Sequence, residues 1–122
     1  MSAEPWAHLI SAEAILKIHS ESIARFGGDP TETAKEGCLE RSAGAAYSSE
    51  LYLENPEAEE GLCFAGYLLY YLIKNHCFID GNKRVGWAAC MEVLRSLGLT
   101  VTATDDEIEE LAWLSQMTIP TW

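Results

Sequence analysis

Four apolar residues and one histidine recur at the spacing of a single helix face in the first part of the chain: Ile15, Ile18, His19, Ile23 and Phe26. Ser11 is a suitable N-cap for this helix, and Gly27-Gly28 should end it. A second helical stretch is predicted from about Thr33 to Tyr47, where the periodicity is weaker.

The longest apolar run extends from Leu62 to Ile73 and has no polar face. A helix that is apolar all round belongs in the centre of a protein. A short buried strand is the alternative, but the continuous length of 12 residues favours a helix. Asn55-Pro56-Glu57 ahead of the run is a helix-start signal, with a capping Asn, a Pro at the first helical position and an acid in the first turn.

A loop over residues 76–81 follows the apolar run. The next helix is predicted from Asn82 to about Leu97, where Gly98 ends it. Because every long segment has helical periodicity, the pattern predicts an all-α protein.

The C-terminal part of the chain carries two weaker signals. Leu99 to Ala103 alternates with Thr and predicts a short extended piece. Thr104 or Asp105 should cap a last acidic helix that ends near Met117, and the tail over residues 118–122 should be irregular because it contains a proline.

Length and charge narrow the possible functions. With 122 residues, the chain is expected to form one domain over residues 1–122. The balance of 8 Lys and Arg against 19 Asp and Glu gives a formal charge of -11, which disfavours nucleic acids and anionic membranes as partners and fits a basic protein better. The longest apolar run is too short to span a bilayer.

The four cysteines, at positions 38, 63, 77 and 90, contain no Cys-x-x-Cys pair, so the spacing of a zinc site is absent. Cys63 and Cys90 sit in apolar runs and are predicted to be core residues. No signal peptide is evident, and the expectation is therefore a reduced, cytoplasmic location.

The loop and the start of the following helix have the composition of a phosphate site. Gly81 and Asn82 tolerate left-handed backbone angles, so that successive N–H groups can converge on an anion at the positive end of the helix dipole. Lys83 and Arg84 lie in the first helical turn, where cations are otherwise unfavourable. Together with Lys74 they make three of only eight basic residues, and Asp80 is the only acid among residues 74 to 84.

Asp80 could hold a magnesium ion beside a phosphate ester, and His76 could take a proton from an incoming hydroxyl. Phe78 should point into the core. Taken singly, His76 is most simply interpreted as a helix cap and Asp80 as a turn residue. Lys83-Arg84 alone would be a pair of solvated basic residues. The phosphate interpretation depends on their occurrence within nine residues. A P-loop is a poor match, because its glycines and its following Ser or Thr are missing.

This segment resembles the Fic/Doc proteins. The Fic pattern is His-x-Phe-x-Asp/Glu-Gly-Asn-Gly-Arg-x-x-Arg, and the Doc (death-on-curing) pattern has Asn-Lys-Arg in place of Asn-Gly-Arg. The chain matches the Doc version at six positions: His76, Phe78, Asp80, Asn82, Lys83 and Arg84. Residues 18–28, 36–40 and 86–97 are also similar to Doc proteins, so the resemblance covers about residues 10–117.

The resemblance implies a compact all-α Fic fold with the motif loop between two central helices. It assigns His76 as the base that activates a protein hydroxyl and Asp80 as the Mg²⁺ ligand. Gly81 and Asn82 would line the phosphate nest, Arg84 would neutralise phosphate charge, and Lys83 would replace the Fic glycine that leaves room for the nucleotide phosphates. Lys74 would be the counterpart of a Doc basic residue two positions before the histidine.

The Doc resemblance further implies a toxin-type kinase that transfers the γ-phosphate of ATP to a Thr of elongation factor Tu and stops translation. The Fic self-inhibitory pattern Ser/Thr-x-x-x-Glu-Gly/Asn is absent, because Glu32 and Glu50 stand where Ser or Thr is required. Restraint should then come from a small antitoxin of the Phd kind. Doc proteins usually continue into a further C-terminal helix, so with an end at Trp122 either that helix is dispensable or the sequence is truncated.

Three other functions stay open. AMP transfer to a protein hydroxyl is favoured by Asp80-Gly81-Asn82, which is Fic-like where some Doc proteins have Asp-Ala-Asn. A catalytically silent Fic-fold module could act by occupying a partner. A metal hydrolase that uses His76 and Asp80 is the weakest alternative, because two ligands are too few for a zinc site.

Overall fold

The computed structural model describes residues 4–28, 34–53 and 60–99 of the chain. Within these ranges the secondary structure consists of four helices and no strands. They are α1 (Ala12–Phe26), α2 (Cys38–Leu53), α3 (Leu62–Asn75) and α4 (Asn82–Ser96). The predicted all-α class is confirmed.

The third helix forms the centre of the described fold, because α2 packs on one side of it and α4 on the other, while α1 lies against α4. Its core-facing side chains are almost fully buried: Phe64, Ala65, Leu68, Leu72 and Ile73. The prediction of a buried central helix is therefore confirmed. Trp6, Leu9 and Ile10 precede α1 and extend the same core.

The predicted limits of α1 and α4 agree with the structure. Ser11 caps α1, since its Oγ accepts a hydrogen bond of 3.1 Å from the Ala14 N–H. The N–H of Gly27 donates to the Ile23 carbonyl at 2.8 Å and ends the helix. The fourth helix begins at Asn82 as predicted and ends one residue before Leu97.

The predicted limits of the second helix were wrong. It begins at Cys38 and ends at Leu53, because Gly37 adopts a left-handed φ of 71° that interrupts the helix before that point. Its apolar periodicity is weak because small residues, Ser42, Ala43 and Ala46 among them, pack against the core. The start signal at residues 55–57 and the elements predicted after Leu99 lie outside the described residues.

The start of α3 is capped by a side chain from another helix. Its N-cap, Gly61, has no side chain to offer, and the carboxylate of Glu50 in α2 takes that role. The N–H of Gly61 donates to both carboxylate oxygens at 3.1 Å, and the N–H of Phe64 donates to Oε2 at 2.8 Å. A negative charge at this end also stabilises α3, because the N-terminal end of the helix dipole is positive.

Two cysteines are joined in the structure. Cys38, the first residue of α2, forms a disulfide with Cys77, and their Cα atoms are 5.5 Å apart. This pairing departs from the expectation of a reduced compartment, and a sequence separation of 39 residues gave no sign of it. Cys90 is buried as predicted, and its burial raises the pKa of the thiol to about 11, whereas Cys63 is only half-buried.

None of the four described helices combines the length and the apolar character that crossing a membrane would require.

Replacing Glu50 by Gln should lower the free energy of unfolding by about 1–2 kcal/mol, because charge-assisted caps at the start of α3 become neutral ones or are lost. Chemical denaturation monitored by circular dichroism measures this change. The exposed Glu21 in the middle of α1 provides the control, and Glu21→Gln should leave stability nearly unchanged. Equal effects of the two substitutions would show that the Glu50 cap contributes nothing specific.

Candidate active site

The motif loop, residues 76–81, connects α3 to α4 through two left-handed residues. His76 ends α3 with φ 47° and ψ 56°, and Gly81 precedes α4 with φ 80° and ψ 12°. The sequence indicated that Gly81 and Asn82 both tolerate left-handed angles. Gly81 adopts one, but Asn82 is helical, and His76 supplies the second left-handed position.

His76 is the one non-glycine residue with positive φ among the described residues, and its side chain is exposed. A left-handed conformation costs a residue with a Cβ atom about 1–2 kcal/mol. Glycine or asparagine would satisfy this cap more cheaply. An imidazole held at this cost, and open to solvent, is consistent with a chemical role, because strained backbone concentrates at active sites.

The side chain of Asn82 holds the loop closed. Its Oδ1 accepts a hydrogen bond of 3.0 Å from the N–H of Phe78, and its Nδ2 donates to the carbonyl of the same residue at 2.7 Å. Both backbone groups of Phe78 are thus bonded to one amide. The resemblance implied that Asn82 lines the phosphate nest. In the structure its side chain instead bonds to the backbone of the loop.

Phe78 anchors the loop in the core, as predicted, with 2% of its surface exposed. Its ring stacks on the imidazole of His19 in α1, with ring centroids 3.8 Å apart and planes only 6° from parallel. His19 is itself 3% exposed. The stack therefore links α1 directly to the motif loop.

Asp80 is exposed at the end of the loop, and Gly81 beside it is half-buried. The N–H of Gly81 donates to Oδ1 of Asp80 at 2.8 Å, so a carboxylate already takes one backbone donor at the start of α4. Gly81 has no side chain to cap that helix. The first-turn N–H groups of α4 and its dipole therefore present positive potential to this surface.

The two first-turn cations of α4 differ in their surroundings. Arg84 is exposed, and its guanidinium carbon lies 4.6 Å from the ring centroid of Phe26 at the end of α1, within cation–π distance. Lys83 is half-buried. Neither forms a salt bridge with a carboxylate in the part of the chain that the structure describes. Their charges are therefore available to an anion.

Lys74 is the penultimate residue of α3, with its Nζ 5.6 Å from the ring centroid of Tyr70. The contact runs along α3, and Lys74 does not line the cleft beside the motif loop.

That cleft lies between the end of α1 and the loop. It is narrow, with room for little more than a water molecule, and so lies far below the roughly 300–1,000 Å³ of pockets that enclose a drug-sized ligand. Three predicted site residues, Asp80, Gly81 and Arg84, line it together with five others: His19, Ser22, Ile23, Gly27 and Gly28.

Asp80 is the only predicted metal ligand, and no group of three or more His, Cys, Asp or Glu side chains converges among the described residues. A single carboxylate is too small a donor set for a zinc site. It suits Mg²⁺, which keeps several water ligands and binds through one or two carboxylates plus substrate phosphates.

The sequence analysis singled out the residues on the α4 side of this cleft and not those on the α1 side. His19 was assigned to the core face of α1 and Gly27-Gly28 to the end of that helix, and all three line the cleft. A histidine within an otherwise apolar helix face was the one available signal for α1. His76, Lys83 and Asn82 belong to the same loop-to-helix junction but do not line this cleft.

Replacing His76 by Gly should raise the free energy of unfolding by about 0.5–1 kcal/mol, because glycine adopts the left-handed conformation freely and loses part of that gain to chain entropy. His76→Ala should give no such gain, since alanine keeps the Cβ atom. Thermal and urea denaturation of the two variants test this, and a His76→Gly variant no more stable than His76→Ala would contradict it.

Replacing Asn82 by Asp should cost about 1–3 kcal/mol, because an acceptor would then face the Phe78 carbonyl at hydrogen-bond distance. Hydrogen exchange at the Phe78 amide should accelerate, while amides in the middle of α1 serve as the internal control. Unchanged protection of Phe78 would mean that Asn82 does not hold the loop.

Comparison with known proteins agrees with this geometry. The family model of the Fic/DOC family matches residues 9–94, which include α1, the motif loop and most of α4. Searches of curated proteins and of solved structures found no match to the chain. Since the family model covers well over half of the 122 residues, the chain belongs to the Fic/DOC family.

Proposed function

We propose that the protein is a toxin-type protein kinase of the Doc branch, which transfers the γ-phosphate of ATP to a hydroxyl of a protein substrate. The observation that carries the proposal is a pair of cations, Lys83 and Arg84, at the uncapped start of α4 in an otherwise acidic chain. The neighbouring loop supplies one exposed carboxylate and one exposed imidazole.

In the proposed reaction, a ring nitrogen of His76 accepts the proton of the substrate hydroxyl. The hydroxyl oxygen forms a bond to the γ-phosphorus, the bond from that phosphorus to the β-phosphate oxygen breaks, and ADP leaves. Arg84 and the first-turn N–H groups of α4 stabilise the charge on the phosphate oxygens. Asp80 would hold Mg²⁺, which supplies further neutralisation of phosphate charge when bound.

Lys83 supports γ-phosphate transfer rather than AMP transfer. By the resemblance, it replaces the Fic glycine that leaves room for the nucleotide phosphates, and the nucleotide is then held in reverse. A half-buried lysine in the first turn of α4 occupies space and adds a charge where a glycine would do neither. Both effects favour a different placement of the phosphate chain.

We propose a Thr of elongation factor Tu as the acceptor and a small antitoxin of the Phd kind as the inhibitor, both by resemblance to Doc. A location in the cytoplasm, where translation takes place, belongs to the same proposal. The formal charge of -11 agrees with a partner that presents basic surface.

AMP transfer is the second candidate, and Gly81 favours it. Asp80-Gly81-Asn82 is the Fic form of the motif, and an added Cβ atom at Gly81 would meet no atom within 4 Å. Gly81 is therefore required by its left-handed φ, not by crowding from this chain. Space above Gly81 is compatible with either nucleotide orientation, so the transferred group must be measured.

The assay uses the protein with Mg²⁺, purified elongation factor Tu or a bacterial lysate, and ATP labelled at either the γ- or the α-phosphate. Label should pass to protein from the γ-position only. His76→Ala should reduce the rate by about 10²–10⁴-fold, the usual contribution of a general base. The matched control is His8→Ala, since His8 is exposed and pairs with Glu60 at 2.7 Å, outside the motif.

Transfer from the α-position alone would replace the kinase proposal by AMP transfer. No transfer of either label, combined with growth arrest by both wild type and His76→Ala, would identify a catalytically silent binding module.

A further inference from the structure

His76 stands between two residues that are both fastened to the start of α2. On one side, Nδ2 of Asn75 donates to Oγ of Ser42 at 2.9 Å. On the other side, Cys77 is bonded to Cys38 through the disulfide, and its carbonyl accepts from the N–H of Lys35 at 2.9 Å. The imidazole is exposed while both of its neighbours are held.

Ser42 connects these attachments to each other. Its Oγ donates to the carbonyl of Cys38 at 2.8 Å and lies 3.6 Å from Sγ of Cys77. Ser42 has no exposed surface, and Cys38 and Cys77 are 3% and 1% exposed. We call the set Cys38, Ser42, Asn75 and Cys77 the α2 clamp. A buried polar network whose members are satisfied fixes one arrangement of the backbone.

We propose that the α2 clamp positions His76, and that the oxidation state of Cys38 and Cys77 sets how well it does so. In the oxidised chain a covalent bond fixes the residue next to the imidazole. In the reduced chain only the hydrogen bonds from Lys35 and Asn75 remain on either side of His76. Cys38 and Ser42 are thus positioning residues, and the pair of cysteines is a modification site.

The chemistry needs an oxidant, and a low-molecular-weight disulfide such as oxidised glutathione suffices. Two thiols lose two protons and two electrons as the bond between the Sγ atoms forms, and the glutathione disulfide is reduced to two thiols. Because both sulfurs are buried, a thiolate can attack either only after the clamp opens. The folded chain should therefore retain the oxidation state in which it folded.

Misplacement of a catalytic group by about 1 Å can cost up to 10²-fold in rate. Since hydrogen bonds remain in the reduced clamp, a decrease of about tenfold or less is expected for that form. The effect should fall on kcat and not on KM for ATP, because no residue of the clamp lines the cleft.

The test compares wild-type protein refolded with oxidised glutathione and with a phosphine reductant. Alkylation in denaturant verifies the two states: Cys63 and Cys90 alone should react in the first, and all four cysteines in the second. Hydrogen exchange of the amides at residues 76–78 should be faster in the reduced form, with amides of α1 unchanged. The exchange measurement does not depend on the proposed kinase activity. Only the measurement of kcat rests on that activity, so the two proposals can fail separately.

Cys38→Ser should resemble the reduced wild type in both redox conditions, and Cys63→Ser should behave as wild type in each. Because Cys38→Ser also removes a buried core residue, the comparison of the two wild-type forms decides. Equal exchange at residues 76–78 in two verified redox states would overturn the proposal. So would failure of oxidised glutathione to join Cys38 and Cys77.

Discussion

The ring of Phe78 lies in the core against the imidazole of His19, while its backbone N–H and carbonyl are both bonded to Asn82. These contacts connect α1, the motif loop and α4 through a single residue. The loop has only residues 76–81, and without contacts to the core it would not keep one conformation. Burial of the Phe78 side chain fixes the loop, and with it the positions of His76, Asp80 and Gly81.

The electrostatics of the site follow from this arrangement. The start of α4 is placed at the surface, beside a cleft, without a side-chain cap and with two cations in its first turn. The two cations repel each other and are repelled by the positive end of the helix dipole, so this arrangement is locally unfavourable unless an anion completes it. Arg84 is nevertheless held, because its guanidinium rests on the ring of Phe26. This cation–π contact holds Arg84 next to Lys83 although the two positive charges repel each other.

Features that depend on residues close together in the sequence could be predicted. The limits of α1 and α4 followed from Ser11, Gly27 and Gly98, and the motif loop followed from its turn residues. The limits of α2 did not, since a helix that buries small residues has little periodicity. Contacts between residues far apart in the sequence could not be predicted either. The cap that Glu50 provides for α3 and the disulfide between Cys38 and Cys77 depend on how the helices pack. For the candidate site, the residues on the α4 side of the cleft were therefore singled out from the sequence and those on the α1 side were not.

The disulfide also changes the connectivity of the molecule. It closes residues 38 to 77 into a covalent ring that contains α2 and α3, and α1 and α4 extend from that ring as two arms. Cutting one peptide bond within the ring opens it and releases neither arm. The two helices that form the cleft would then remain in one molecule after such a cut, held through sulfur instead of through the main chain.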